Sequence, residues 1–254
     1  MKNSFYESES QASVLQHEAR NKILDIFTQN YIPDDEKIVN LGLFIRSSLL
    51  AKIITLQEIY KRIQEIPGVL MEFGSWYGQN LILLENLRAI YEPFNKERKI
   101  VGFDTYEGYK GFSKIDKESE IFSENSYALK EDYKEVLSSL LQYHTQSNIL
   151  GHIDNPHELI KGSVIETVPQ YFMSHPETIV AFGYFDMGLY EPTKIALQTI
   201  KPYLIPGSIL WFDELTWAKA PGECIAFKEV FRDAKYKIEK CPLFPAKTII
   251  TIRE

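Results

Sequence analysis

The feature that most constrains this 254-residue chain begins at Val69. Val69-Leu70-Met71-Glu72-Phe73 is a short apolar run, and a turn bearing two glycines follows it. A helical pattern then covers residues 79–91, and a second apolar run covers 99–104. Strand, helix and strand within about 35 residues form the unit that joins two parallel strands, because such strands need a crossover and a helix supplies it. The alternation resumes with strand patterns near Leu159 and over 178–186, a helix over 193–203 and a strand over 208–213. A helix near 223–231 comes next. The last two strands, 235–240 and 248–252, are joined by Pro242-Leu243-Phe244-Pro245, a link short enough for an antiparallel pair at a sheet edge. The expected fold is therefore α/β: a doubly wound, mostly parallel sheet with an antiparallel C-terminal edge.

Two segments decorate that sheet. Residues 1–66 read as a helical extension that caps substrate or an oligomer contact. In it, Val14, Leu15, Ile23, Leu24, Ile26 and Phe27 form one loosely amphipathic stretch. Pro33-Asp34-Asp35 interrupts it, and Leu49, Leu50, Ile53, Ile54, Leu56, Ile59, Tyr60 and Ile63 then recur at helical spacing until Pro67-Gly68. Residues 67–254 are expected to form one domain with a charged and aromatic insertion at 107–156, carrying a helix near 129–143. The insertion is long for a connection and reads as a lid.

Composition narrows the partners. An apolar fraction of 44% can fill a sizeable core. The net charge of −7 points to neither nucleic acid nor an anionic membrane. Cys224 and Cys241 are too few for a disulfide scaffold. No apolar run approaches the roughly 18 residues of a membrane span, and the polar N-terminus does not read as a secretory signal. A cytoplasmic protein is expected.

In doubly wound sheets ligands sit beyond the carboxyl ends of the strands, where strand order reverses. Each informative strand end here carries a carboxylate: Glu72 before Gly74 and Gly78, then Asp104, Asp186, and Asp213-Glu214. A dinucleotide site asks for Gly-x-Gly-x-x-Gly, whereas this turn has Gly74-x-x-x-Gly78 with an acid just before it. That acid would repel a pyrophosphate and attract a cationic amino-acid group. Asp104 stands where an acid commonly accepts both ribose hydroxyls. An adenosine with a positively charged amino-acid tail fits both, which describes S-adenosylmethionine. The plainer alternative is that the glycines serve strand–helix packing and the acids are solvated. Asp186, Asp213 and Glu214 form a second group that would repel itself without a cation, and its hard oxygen ligands suit Mg²⁺. Such an ion could lower the pKa of a substrate hydroxyl; the alternative is a helix cap for Asp186 and solvation for Glu214.

Four motifs together resemble the macrocin O-methyltransferase (TylF/MycF) family of metal-dependent class I methyltransferases. They are Met71-Glu72-Phe73-Gly74-Ser75-Trp76-Tyr77-Gly78, Gly102-Phe103-Asp104-Thr105-Tyr106-Glu107-Gly108, Phe185-Asp186-Met187-Gly188-Leu189-Tyr190-Glu191-Pro192-Thr193 and Pro206-Gly207-Ser208-Ile209-Leu210-Trp211-Phe212-Asp213-Glu214. The run from Asp213 through Pro221-Gly222-Glu223 to Ala226 looks closest to the branch that acts on a nucleotide-linked deoxysugar. The resemblance implies a Rossmann-like class I methyltransferase fold. It also implies a cofactor set of Glu72, Gly74, Ser75, Tyr77, Gly78, Asp104, Thr105, Gly162, Ser163 and Asp186, the stretch from Gly162 to Pro169 bordering the adenine. Asp186, Asp213 and Glu214 would hold the metal. The implied acceptor is a sugar or nucleotide-sugar hydroxyl, and the implied assembly a homo-oligomer. The chain departs at Gly188, where the family reads Asp-Ala-Asp-Leu-Tyr, so one carboxylate is missing.

The expected chemistry is in-line methyl transfer dominated by positioning, with a metal or a base handling the proton. Asp186, His144 and His152 are the catalytic candidates, with His157 beside them; each histidine has an ordinary surface role as its alternative. The histidine spacings of 8 and 5 do not match a zinc site. Dense aromatics near these loops, among them Trp76, Tyr109 and Trp217, suit sugar and base rings or simply the core. The competing readings are an NAD-type oxidoreductase and a non-catalytic cofactor-binding relative.

Overall fold

The computed structural model describes residues 12–116, 122–149 and 157–254. The chain divides into two compact units, residues 1–53 and 54–254. In the first, α1 (Val14–Thr28) starts at a capping box in which Ser13 Oγ accepts the Gln16 N–H and Gln16 Oε1 accepts the Ser13 N–H. The helix ends at Thr28, and Pro33 stands at the N-cap of α2 (Asp34–Val39). Phe27 and Phe44 meet edge to face, ring centroids 5.0 Å apart. Helix α3 (Ser47–Ile63) crosses the unit boundary, and its second half buries Leu56, Ile59, Tyr60 and Ile63.

The second unit continues as β1 (Val69–Phe73), α4 (Gln79–Tyr91), β2 (Ile100–Asp104), α5 (Tyr133–Gln146), β3 (Glu158–Lys161) and α6 (Val164–Ser174). It closes with β4 (Val180–Phe185), α7 (Tyr190–Ile200), β5 (Leu204–Phe212), α8 (Gly222–Val230), β6 (Tyr236–Lys240) and β7 (Thr248–Ile252). The sheet order is β3-β2-β1-β4-β5-β7-β6. Strands β1 to β5 run parallel, and β7 is antiparallel to both β5 and β6. Strand order therefore reverses between β1 and β4, and the expected antiparallel edge is present. Among the described residues no helix is long and apolar enough to cross a membrane.

Alternation along the strands splits the core into two layers. Met71, Phe73, Val101, Phe103, Phe185 and Phe212 pack with α6, α7 and α8, while Leu70, Ile100, Phe182, Tyr184 and Trp211 pack with α3 and α4. The last phenylalanine of each central strand lies in register with its neighbour: Phe73 with Phe103, Phe73 with Phe185, and Phe185 with Phe212. Their rings stack at 5.3, 4.6 and 4.8 Å. This row levels the ends of β1, β2, β4 and β5, so the residue after each phenylalanine emerges at the same height.

Helix α6 was not expected, because Pro169 inside it reads as a breaker and removes one helical hydrogen bond. The signal was present as Val164, Val168, Tyr171 and Phe172, spaced on one buried face. Strand β5 begins at Leu204, ahead of the expected 208, around an irregularity where Ser208 Oγ donates to the Val180 carbonyl at 2.7 Å.

Two buried ionic groups lock helices to the sheet. Arg98 donates to the carbonyls of Ile63, Gln64, Ile66 and Gly68 and to both oxygens of Glu92, closing the C-terminal end of α3. Glu85 on α4 accepts two bonds of 2.7 Å from Arg88. It also meets His157 Nε2 at 2.9 Å and Asn148 Nδ2 at 3.0 Å.

Candidate active site

The levelled strand ends deliver Gly74, Asp104, Asp186 and Asp213 to one rim. Three of them continue the ladder by one bond, from Gly74 N to Phe103 O, Asp186 N to Phe73 O and Asp213 N to Phe185 O, all 2.9–3.0 Å. Gly74 has φ +87°, and a Cβ there would run into the carbonyl of Asp186. The turn after β1 and the end of β4 thus touch at backbone level, which only glycine permits.

On the β1–β2 side, Glu72 is buried and accepts from Asn80 Nδ2 at 2.6 Å. Asp104 accepts the N–H groups of Trp76 at 2.7 Å and Tyr106 at 2.6 Å. Burial pushes the Asp104 carboxyl above the usual range, its backbone donors pull it down, and the charge of Asp186 adds to the rise. Asp104 therefore folds both loops around itself. Gly78 leads into α4 with φ +72°, its missing Cβ leaving room for Leu137 of α5. Ser75 Oγ and Tyr106 Oη are buried with no hydrogen-bond partner among the described residues. Tyr77 is exposed, with its carbonyl accepting from Tyr133 Oη at 3.1 Å. Thr105 Oγ1 is engaged in its own turn, donating to Gly108 O and accepting from Glu107 N. Gly162 N–H bonds the Asp104 carbonyl at 3.0 Å, bringing Gly162 and Ser163 beside β2.

On the β4–β5 side, carboxylate oxygens of Asp186, Asp213 and Glu214 all lie within 4.8 Å of one another. Tyr184 Oη donates to Asp213 Oδ1 and lies 3.2 Å from Asp186 Oδ2. Glu214 Oε2 is buried without a partner among the described residues. Burial, then the charges of Glu223 and Asp186, hold the Glu214 carboxyl well above the carboxylate range. These residues fit a divalent cation: a hard oxygen set, mutually repelling, with an oxygen left over. Sequence reasoning missed a site role for Glu223, naming it only within the run from Asp213 to Ala226. It is fully buried, accepts the N–H groups of Met187 and Gly188 at 3.2 Å and Glu214 at 3.0 Å, and so fixes both acid-bearing loops. Burial also raises its carboxyl.

Gly188, the departure from the family pattern, has φ +63°, and a Cβ there would lie 2.6 Å from Phe122 Cε2. The place of the missing acid is filled by a ring from the insertion. Phe122 packs with Leu189 and Ala220, with Tyr109, Phe112 and Trp217 around them. Tyr109 is pushed well up by burial, with the charges of Glu214 and Asp186 adding, so this aromatic patch borders the acids. Asp116, also missed, fastens the same segment by accepting the Tyr190 N–H at the start of α7, 2.8 Å away.

The histidine expectations fare differently. Helix α5 starts at the turn after β1, through Tyr133 and Leu137, and His144 lies about 16 Å further along its axis. His144 Nδ1 faces Asn86 Oδ1 of α4 at 3.3 Å, so the structure does not bring it to the carboxylates. His157 accepts the Ile100 N–H on Nδ1, which leaves Nε2 to donate to Glu85; it is a buried structural link. His152 lies outside the described residues.

This strand order, with a glycine turn and acids at the switch point, defines a class I, S-adenosylmethionine-dependent methyltransferase. Residues 50–243 match the family described as Macrocin-O-methyltransferase (TylF). The chain belongs to that family and is an O-methyltransferase. It is 36% identical to CalS11, a calicheamicin methyltransferase, over 95% of this chain and 94% of that one, with a TM-score of 0.89. An apo structure of CalS11, described as a TDP-rhamnose 3'-O-methyltransferase, matches at 35% identity over 95% and 96% of the two chains, with a TM-score of 0.81. The O-methyltransferase NovP shares the fold at 15% identity, covering 80% of each chain with a TM-score of 0.60. No curated protein matches in sequence.

Proposed function

We propose that this protein methylates a hydroxyl of a sugar, most simply a nucleotide-linked deoxysugar, with a divalent ion such as Mg²⁺ assisting. The observation that carries the reading is the convergence of Asp186, Asp213 and Glu214 on a rim that shares backbone contact with the Gly74 turn. The 36% identity to CalS11 supports the choice of acceptor. When bound, S-adenosylmethionine supplies an electrophilic methyl group and the divalent ion a Lewis acid for the acceptor oxygen.

The chain's own residues do the rest. Glu72 stands ready for the ammonium of the cofactor's amino-acid tail, and Ser75 Oγ offers an unused hydrogen-bonding atom beside it. Asp104 retains lone pairs for ribose hydroxyls after accepting its backbone donors. Gly78, Tyr77, Thr105, Gly162 and Ser163 line the same loops. Asp186 joins the two halves, because its backbone touches Gly74 while its carboxylate belongs to the acid cluster, and it takes the acceptor proton. The aromatic patch of Tyr109, Phe112 and Trp217 excludes water and offers faces to a sugar ring. Self-association belongs to the same proposal: α1 buries none of its side chains.

The test is methyl transfer to TDP-rhamnose by chelator-treated protein, with and without added Mg²⁺. Activity restored by Mg²⁺ and lost in Asp213→Asn supports the reading. Full activity in chelator removes the metal from it, and an inert TDP-rhamnose beside methyl transfer to an unrelated, non-sugar hydroxyl acceptor removes the sugar.

A further inference from the structure

The acid cluster already contains a cation of the protein's own. Strand β7 runs antiparallel to β5 with Phe212 opposite Thr248, so the residue before Thr248 comes level with the residue after Phe212. Those residues are Lys247 and Asp213, and Lys247 Nζ forms an ion pair with Asp213 Oδ1. The same Oδ1 accepts from Tyr184 Oη. Both side chains of the pair are mostly buried, exposed by 15% and 19%. The stem of Lys247 starts from a fixed backbone, its N–H bonded to Phe244 O and its carbonyl to Cys241 N. Lys247 also lies beyond residue 243, where the match to the family ends.

We propose that Lys247 is the resident counter-ion of the Asp186–Asp213–Glu214 cluster, and that a divalent ion binds there only by displacing the lysine ammonium from Asp213. The inference rests on the proposed divalent site. Before metal arrives, an ammonium against Asp213 offsets part of the repulsion among acids that stand within 4.8 Å. Once a doubly charged ion is present, two cations would share one partly buried carboxylate, and their repulsion is strong at that range. The weaker, more mobile charge leaves. Its next resting place is near: the Phe244 ring has its centroid 5.6 Å from Nζ, a distance at which an ammonium is still attracted to an aromatic face. Lys247 would then set how much metal the site needs, without touching acceptor or cofactor.

The experiment measures Mn²⁺ affinity of the full chain, stripped of metal by chelator, by calorimetry and electron paramagnetic resonance. Lys247→Met is expected to bind Mn²⁺ about tenfold tighter or better than wild type, and Lys247→Arg to stay near wild type because the charge remains. Metal-free Lys247→Met should melt lower than wild type and gain more from added Mn²⁺. A second measurement needs no substitution: acetylation of Lys247 by an activated ester, followed by mass spectrometry, should speed up when Mg²⁺ saturates the wild-type protein. Equal Mn²⁺ affinity in all three forms, or an acetylation rate indifferent to Mg²⁺, overturns the displacement while leaving the divalent site standing. Weaker binding by Lys247→Met also overturns it. Absence of Mn²⁺ binding in every form sinks the metal site and this inference together.

Discussion

At the scale of single residues, Gly188 shows why the acid that the family resemblance leads one to expect does not fit there. A side chain there would need φ +63° and the space held by Phe122. Aspartate tolerates the left-handed region better than most residues, yet the ring still blocks it. Gly188→Asp is therefore expected to cost about 1–3 kcal/mol of stability by chemical denaturation, from overpacking and backbone strain. Pairing it with Phe122→Ala should recover part of that loss despite the cavity left behind, because the clash is what the two share. Strictly additive losses would mean that the ring yields freely and that the acid's absence has another cause. The glycine was legible in the sequence. Its partner was not, since Phe122 is 66 residues away in the chain and belongs to an insertion without a motif.

At the scale of elements, the helices are held by buried charge as much as by apolar faces. Arg98 caps α3, a task that no local pattern announces, because a charged residue just before a strand reads as solvent-facing. Replacing it with methionine takes the paired cation from Glu92, which keeps Tyr60 Oη and Asn95 Nδ2 as donors, and strips a donor from several carbonyls, so Arg98→Met should lose about 3–5 kcal/mol. A loss below about 1 kcal/mol would show that water replaces the guanidinium. Glu85 makes a pH prediction. Burial alone would raise its carboxyl, but the bonds from Arg88 and His157 outweigh that and lower it from 4.5 to about 2. A carboxyl depressed on folding adds stability that is complete above its unfolded value and is lost as the pH falls toward the folded one. The stability gap between wild type and Glu85→Gln should thus shrink between pH 4.5 and 2 and stay flat above it. A gap that holds constant down to the acid limit would rule out this ionic role.

At the scale of the whole molecule, one packing motif explains why the acids meet. The chain writes Phe73-Gly74, Phe103-Asp104, Phe185-Asp186 and Phe212-Asp213, an apolar ring followed by a rim residue at each central strand end. Parallel register turns those four pairs into one aromatic row beneath one functional rim. The acid positions were legible at those strand ends, and the fold class from the alternation of strand and helix patterns along the chain. Glu223 and Lys247 were not, because their approach depends on how α8 and the antiparallel β7 dock, and strand pairing is not written in local spacing. The row also makes the rim mechanically single. Gly74 of the turn after β1, where we propose the cofactor binds, abuts the backbone of Asp186 in the acid cluster, so a methyl group added at Gly74 must push the two apart. Gly74→Ala is therefore expected to weaken S-adenosylhomocysteine and Mn²⁺ binding together, each by about tenfold or more, in separate calorimetric titrations. Gly78→Ala is the contrast: its added methyl meets Leu137 of α5, away from the acids, so it should weaken S-adenosylhomocysteine alone. The stabilisation given by either ligand follows its affinity, about 2.7 kcal/mol at a hundredfold excess over Kd, and the resulting rise in Tm supplies a second readout of the same coupling. If Gly74→Ala loses the cofactor product but binds Mn²⁺ as wild type does, the two halves of the rim are independent. Asp186 then loses its place as the joint between them.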